Sequence, residues 1–359
     1  MVSAFPEVNT RRYTIPLLME TLSPVSQGVM EAMPLKSAGD DKVKVRKIRS
    51  VATVFSREEL GWARSPGASE AENTEIPTVT DRHAILAIPV LGANALRHKI
   101  RAALADHLLA TCELTVADFA KASKTAEHMY HLLYSGGGLT KDEKPDNDFW
   151  RSDTIQRIYR EWPIISLLGA SYNGNMLKGK LSVGQGYPLV TRILSRFFSD
   201  PDTAYALFPA HQWIDIHPAS LIQGRSVEDL WTEYRHPDGR LPQDKGSSTR
   251  NMIMQMQYIP VGVPFGSTLT VSGATPLDAS ALHWVLQHLA APGVLSFGGK
   301  LQSGMGHLSV TPGFPDAMPT SDLYDQYVQD HRDALRQAVL AQGPWKKGML
   351  HASVEEADV

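Results

Sequence analysis

The sequence predicts an α+β fold, a ferredoxin-like core enlarged by large helical and β-hairpin insertions. Two observations predict it. Strand-like apolar runs and amphipathic helices occur in the order strand, long loop, strand and helix, and then, after a long middle section, strand, helix, glycine-rich loop and strand, a βαβ–βαβ plan. No internal repeat at a solenoid period competes with that plan. At 359 residues the chain is long enough for one elaborated domain, read here as residues 1–359 with insertions at 27–81, 110–162 and 211–250 and a C-terminal helix and tail at 312–359.

The first strand runs from Arg12 to Glu20 and ends near Pro24. From Gln27 to Asp81 the pattern breaks into Gly, Pro and charge, with Lys36, Lys42, Lys44, Arg46, Lys47 and Arg49 crowded together. The alternation over 42–46 predicts a short strand with one basic face, either a solvated edge or a surface that tracks phosphate. Residues 84–90 predict a buried strand, and Gly92-Ala93-Asn94 then breaks and caps a helix from about Ala95 to Ala110. Leu96, Ile100, Leu104 and Leu108 form its apolar stripe. Arg97 and Arg101 share another face, with His98 and Lys99 nearby. Cations in the first turns oppose the helix dipole, so this start points to an anionic partner.

A second helical region covers 116–134, then Gly136-Gly137-Gly138 opens a polar loop, and 153–159 is helical again. His128 and His131 lack the carboxylate or cysteine that would complete a metal set. An apolar run over 163–170 leads into Ser171-Tyr172-Asn173-Gly174-Asn175 and a strand over 176–183 that carries Lys178 and Lys180. Residues 192–248 hold scattered aromatics, charge and proline, with a hairpin-like alternation over 212–217. Strands are expected at 250–257 and 267–272, a helix at 276–290 capped by Thr275 or Asp278, a short strand at 308–310, and a last helix from 321 to 342.

Between the last helix–strand pair lies 297–310, with four glycines in nine residues and Lys300, Gln302, Ser303 and His307 among them. Glycine reaches φ > 0 cheaply and can leave N–H groups open to an anion, so the stretch reads as a cradle for phosphate or ribose, or as a tight helix-to-strand turn. It is neither a Walker loop nor a dinucleotide fingerprint, because helix precedes it and strand follows. No cofactor or metal is therefore expected.

Composition narrows the classes. Hydrophobic content of 43% and charged content of 20% are those of a soluble globular protein. A net charge of −3 requires any basic surface to be local. Cys112, the single cysteine, excludes an internal disulfide and a Cys-rich zinc site. No 18-residue apolar run or signal pattern is present, so a cytoplasmic location without membrane contact is expected.

Three stretches carry a family resemblance. Residues 88–97 (IPVLGANALR), 167–170 followed by 178–183 (LLGA, KGKLSV) and 298–306 (GGKLQSGMG) resemble, in order and spacing, motifs of the CRISPR-associated RAMP superfamily. Within it the chain looks most like the Cas-seven-type backbone subunit of type IV effector complexes. That resemblance implies an RRM-like core and sequence-tolerant binding of a CRISPR guide RNA along its sugar–phosphate backbone. It also implies helical stacking of copies of the chain, contact with other CRISPR effector subunits, and target DNA or RNA paired to the guide. The insert from about Trp213 to Arg250 would be the β-hairpin "thumb" that crosses a neighbour's RNA. Candidate RNA contacts are then Lys42, Lys44 and Arg46; Asn94, Arg97, His98 and Arg101; Asn173, Lys178 and Lys180; Arg225 and Arg250; and Lys300, Gln302, Ser303 and His307.

Some backbone subunits of this superfamily cut target RNA with a loop aspartate, and Asp40 and Asp41 lie in the corresponding region. Neither aligns to that residue, and a non-catalytic scaffold is expected. The alternative is a guide-processing or target-cleaving endoribonuclease, for which His98 or His307 would have to face a ribose 2′-OH. A small-molecule enzyme finds no Ser-His-Asp set or paired carboxylates to support it.

Overall fold

The computed structural model describes residues 11–27, 30–34, 42–46, 48–56, 78–80, 83–120, 124–137, 152–172, 175–197, 201–226, 254–299, 301 and 304–342. Its centre is β1 (Arg11–Thr21), where Tyr13, Ile15, Leu17, Met19 and Thr21 point inward at every second position. This period of two is what a half-buried strand requires. On one side β1 pairs antiparallel with the C-terminal strands, β13 (Pro264–Ala274), and on the other with β15 (His307–Pro312). Pro16 lacks an N–H and sits just beyond the β15 register, where its carbonyl accepts from Gly313 N at 2.9 Å.

Two short strands, β9 (Leu181–Val183) and β10 (Tyr187–Pro188), close the outer edge of β13, and β14 (Leu295–Ser296) closes that of β15. The resulting six-stranded sheet has the order β10-β13-β1-β15-β14, with β9 also on β13, and every pairing is antiparallel. Between β13 and β15 the chain crosses through α8 (Pro276–Ala290), which spans the residues expected for it. Thr275 caps it, Pro276 occupies its first position, and Asp278 completes a capping box. Its Leu282, Val285 and Leu286 are fully buried in the core that contains Ile15, Leu17, Met19, Phe265 and Leu269.

The long helix α1 (Ala93–Thr111) begins two residues earlier than the sequence suggested. Gly92 is the N-cap and its carbonyl accepts from Ala95 N, so Asn94 lies inside the first turn and caps nothing. The stripe Leu96, Ile100, Leu104 and Leu108 is buried as expected. The region 116–134 is two helices, α2 (Val116–Ala120) and α3 (Lys124–Ser135), followed by α4 (Ser152–Glu161) and α5 (Pro163–Leu168).

Several expectations are corrected. The segment 27–81 carries β2 (Met30–Pro34), β3 (Lys42–Arg46), β4 (Ser50–Ser56) and β5 (Thr78–Thr80). The basic strand β3 is no edge. It lies between β2 and β12 (Met254–Tyr258), which pairs in turn with β11 (Gln223–Ser226). The strand before α1, β6 (His83–Pro89), joins β4 and β5 in a separate three-stranded sheet and not the central one. The run over 176–183 is interrupted: β7 (Ala170–Tyr172) and β8 (Asn175–Leu177) form a hairpin, and the strand resumes only at β9. Residues 212–217 run between short 3-10 turns at 210–212 and 218–221, where proline at 209 and 218 favours turns over a ladder. The C-terminal helix is broken at His331 into α9 (Asp322–Asp330) and α10 (Arg332–Gln337), with a π turn after them. The described residues are thus α+β, with one main core.

Candidate nucleic-acid cleft

A broad cleft of about 1020 Å³ lies between the first two turns of α1 and the chain from Leu168 to Val183. Two glycines make this close approach possible. Gly169 ends α5 at φ 68°, and a Cβ there would meet Leu177 O at 2.5 Å. Gly179 faces it, and a Cβ on Gly179 would meet Leu167 O at 2.5 Å and Gly169 N at 2.6 Å. The LLGA and KGKLSV stretches therefore come together because neither glycine carries a side chain.

Five residues singled out in the sequence line this cleft: Asn94, Arg97, Arg101, Lys178 and Lys180. They come from segments about eighty residues apart. No carboxylate is among the described lining residues. Arg97 is half-buried and its guanidinium donates to Leu181 O at 2.8 Å and Leu168 O at 2.5 Å. Arg101 is buried and donates to Leu132 O (3.1 Å), Leu168 O (2.9 Å) and Gly169 O (2.8 Å). Its charge thus rests on carbonyls at the C-terminal ends of α3 and α5, the negative ends of those helices. Burial lowers the pKa of both arginines, and Arg97 adds to the effect on Arg101, which falls to about 10. Both remain cations at neutral pH, adjacent and with no acid between them.

Lys180 projects from the opposite wall. Its ammonium lies 2.7 Å from Oδ2 of Asp278 and 5.4 Å from the centre of the Tyr159 ring. The Tyr159 hydroxyl donates to Lys178 O at 2.9 Å, which ties α4 to the same loop, while the Lys178 side chain is exposed. Met176, on the β7–β8 hairpin, is 77% exposed and gives the rim an apolar point. Such a surface offers fixed cations, neutral donors and an aromatic edge. It can hold a polyanion by its backbone, and among the described residues that line it there is no carboxylate or histidine.

The glycine-rich stretch lies outside this cleft and is tied both to itself and to the segment Pro24–Gln27. Phe297 N donates to Gly306 O at 2.6 Å, Gly299 N to Ser26 O at 3.0 Å, Gly304 N to Leu301 O at 3.0 Å and Gly306 N to Pro24 O at 2.8 Å. Those glycine N–H groups are spent on main-chain carbonyls, as in a tight turn, and are not open to an anion. The loop leans on Ser26 and Gln27, and Gln27 Oε1 accepts from Gly92 N at 2.9 Å. One strip of chain thereby links the loop to the start of α1.

Of the remaining candidates, Lys44 and Arg46 enter the four-stranded sheet, where the register aligns Arg225, Met256 and Arg46 in one cross-strand row and Lys44 with Met254. Lys42 pairs with Pro34 at the end of β3. His98 is exposed on α1 and His307 begins β15, its N–H donating to Ser23 Oγ at 2.9 Å; neither lines the cleft. Asn173, Arg250, Lys300, Gln302 and Ser303 lie outside the described residues, as do Asp40 and Asp41 and most of the thumb insert. Tyr159, Ser135, Ser171 and Met176 line the cleft without having been singled out. The Gly136–Gly138 run was the signal for one of them: a Cβ on Gly137 would meet Ser171 O at 1.8 Å, so only glycine lets the α3 terminus reach this wall.

No family model matches the chain, and no curated protein matches it. Solved structures similar to it include a Type IV-B CRISPR complex, at 14% identity and a TM-score of 0.42, covering 88% of this chain and 98% of that one. Csc2 of Thermofilum pendens is similar at 12% identity and a TM-score of 0.35, over 96% of this chain and 86% of that one. A subunit of the type III-B Cmr-beta complex bound to cognate target RNA is similar at 8% identity and a TM-score of 0.39, over 84% and 97%.

Proposed function

We propose that this chain is a sequence-tolerant guide-RNA-binding backbone subunit of a type IV CRISPR ribonucleoprotein complex, acting as scaffold and not as nuclease. One observation carries the reading: on a protein of net charge −3, four cations and an asparagine from distant segments converge on one cleft whose described lining holds no carboxylate. Binding of that kind rests on phosphates and reads no base edges. Copies of the chain, other effector subunits and a target strand paired to the guide are the partners of this reading, and the cytoplasm is its location. Among the described residues no helix is long and apolar enough to cross a membrane.

Two further features support it. The order β15-β1-β13-β9, with α1 lying between β1 and β9 in sequence and α8 between β13 and β15, is compatible with a ferredoxin-like core. The insert after residue 226 leaves on β11 and returns on β12, and these two strands pair antiparallel, as the base of a hairpin excursion does.

The test is fluorescence anisotropy with a labelled single-stranded RNA, read over a salt series. The reading expects affinity that varies little with sequence and falls steeply with salt. Lys178→Glu, an exposed change that breaks no described side-chain bond, should weaken binding by about tenfold and flatten the salt dependence by about 0.7 in slope. Wild-type protein that binds no RNA, or a Lys178→Glu variant with full affinity, would overturn it.

A further inference from the structure

Resting on that reading, we infer that Asp278 is a built-in competitor for the cleft, a carboxylate that withholds Lys180 from the bound polyanion and so sets the strength of binding. The argument begins with what Asp278 is not needed for. As the third residue of α8 it closes a capping box: Oδ2 accepts from Thr275 N at 3.0 Å and its own N–H donates to Thr275 Oγ1 at 3.1 Å. An asparagine could keep both bonds. The charge is therefore surplus to the cap. It is also poorly accommodated, because Asp278 is 1% exposed and its Oδ1 has no hydrogen-bond partner among the described residues. A buried carboxylate with one bare oxygen is destabilising unless a cation compensates it.

Lys180 is that cation, at 2.7 Å. Its backbone is fixed on both sides, Lys180 N donating to Ser166 O at 2.9 Å and Lys180 O accepting from Ser272 N at 3.3 Å. The ammonium thus sits in the cleft wall, over Tyr159, with its charge already half spent. A phosphate entering the cleft feels the charge of Arg97 and, from beneath, of the buried Arg101, whose guanidinium groups rest on neutral carbonyls, and meets Lys180 only in competition with Asp278. Such an arrangement tempers affinity without removing a cation from the site.

The two members of the pair then have opposite effects, which a purely structural role would not produce. Asp278→Asn keeps the cap and frees Lys180, so RNA should bind about two- to fivefold tighter, with a steeper salt dependence. Lys180→Gln leaves the carboxylate unpaired beside the cleft and should weaken binding by about tenfold, more than one lost phosphate contact. In the double variant there is no Lys180 left to free, so Asp278→Asn should recover only the part of the loss that comes from the bare carboxylate and should not bring binding above that of the wild type. A second readout needs no RNA: acylation of Lys180 by an amine-reactive ester, followed by peptide mass spectrometry, should be faster in Asp278→Asn than in the wild type. Asp278→Asn protein that melts normally, binds RNA no more tightly than wild type and acylates at the same rate would overturn the inference while leaving the cleft as the RNA site. If no variant binds RNA but acylation still rises, the ion pair is as described and the RNA reading, with the competitor role built on it, falls.

Discussion

Arg101 ties together the elements beneath the cleft, and replacing it with methionine measures how strongly. Arg101 is 7% exposed, and its guanidinium makes three hydrogen bonds to main-chain carbonyls. Bonds from a charged donor contribute about 1.5–3 kcal/mol each. Against them stands burial of the charge: a pKa lowered from 12.5 to about 10 corresponds to roughly 3 kcal/mol. Methionine fills most of the volume but offers no donor. Leu132 O keeps the N–H of Gly136 at 3.2 Å and Leu168 O keeps Arg97, so the loss falls hardest on Gly169 O, at the turn that shapes the cleft. A net loss of about 3–5 kcal/mol follows, as when one partner is removed from a buried charged network. For a chain of 359 residues that is a fall in Tm of about 4–7 °C, read by circular dichroism. Arg101→Lys keeps the charge but loses the fork and should recover only part of the stability. A methionine variant that melts within about 1 °C of the wild type would refute the view that Arg101 ties α1, α3 and α5 together.

Two further outcomes follow from buried groups away from the cleft. Burial pushes the Cys112 thiol up to about 11, and its Sγ lies 3.6 Å from Arg332 O, so the native protein at pH 8 should resist a thiol-reactive disulfide reagent that labels it at once in denaturant; equal rates in both states would contradict the packing. Burial also lowers the pKa of His107, which stacks on Trp284 at 4.0 Å; Asp325 at 3.1 Å opposes the shift and His288 adds to it. Because the folded state then holds its proton less tightly than the unfolded chain, stability should be complete above the ordinary histidine value of about 6.5 and decline as pH falls below it. His107→Phe should show a shallower fall in Tm between pH 7.5 and 5.5 than the wild type, and identical pH profiles would count against it.

Local signals made the core legible. The first strand, the apolar stripe of α1 and the Thr275-led start of α8 were each legible locally, although α1 begins two residues earlier than expected. Errors gathered where structure depends on distant partners. Nothing within Lys42–Arg46 announces that β12, some two hundred residues later, will pair with it and make an interior strand of an apparent edge. Likewise nothing within 298–306 announces that the carbonyls taking up the N–H groups of Gly299 and Gly306 belong to Ser26 and Pro24, near the other end of the sequence. The cleft illustrates the same rule from the other side. Arg97, Arg101, Lys178 and Lys180 were visible as basic residues beside small ones, but that they face one another depends on Gly169 meeting Gly179 across the β7–β8 hairpin. Asp278 was visible only as a cap. Its second allegiance, to a lysine ninety-eight positions away, emerges once α8 and the Lys178–Val183 chain pack on the same sheet. Composition can therefore announce that cations are available, whereas the share of their charge left for a ligand is set by tertiary neighbours. In this chain two arginines rest on neutral carbonyls, whereas Lys180 is already paired with an acid.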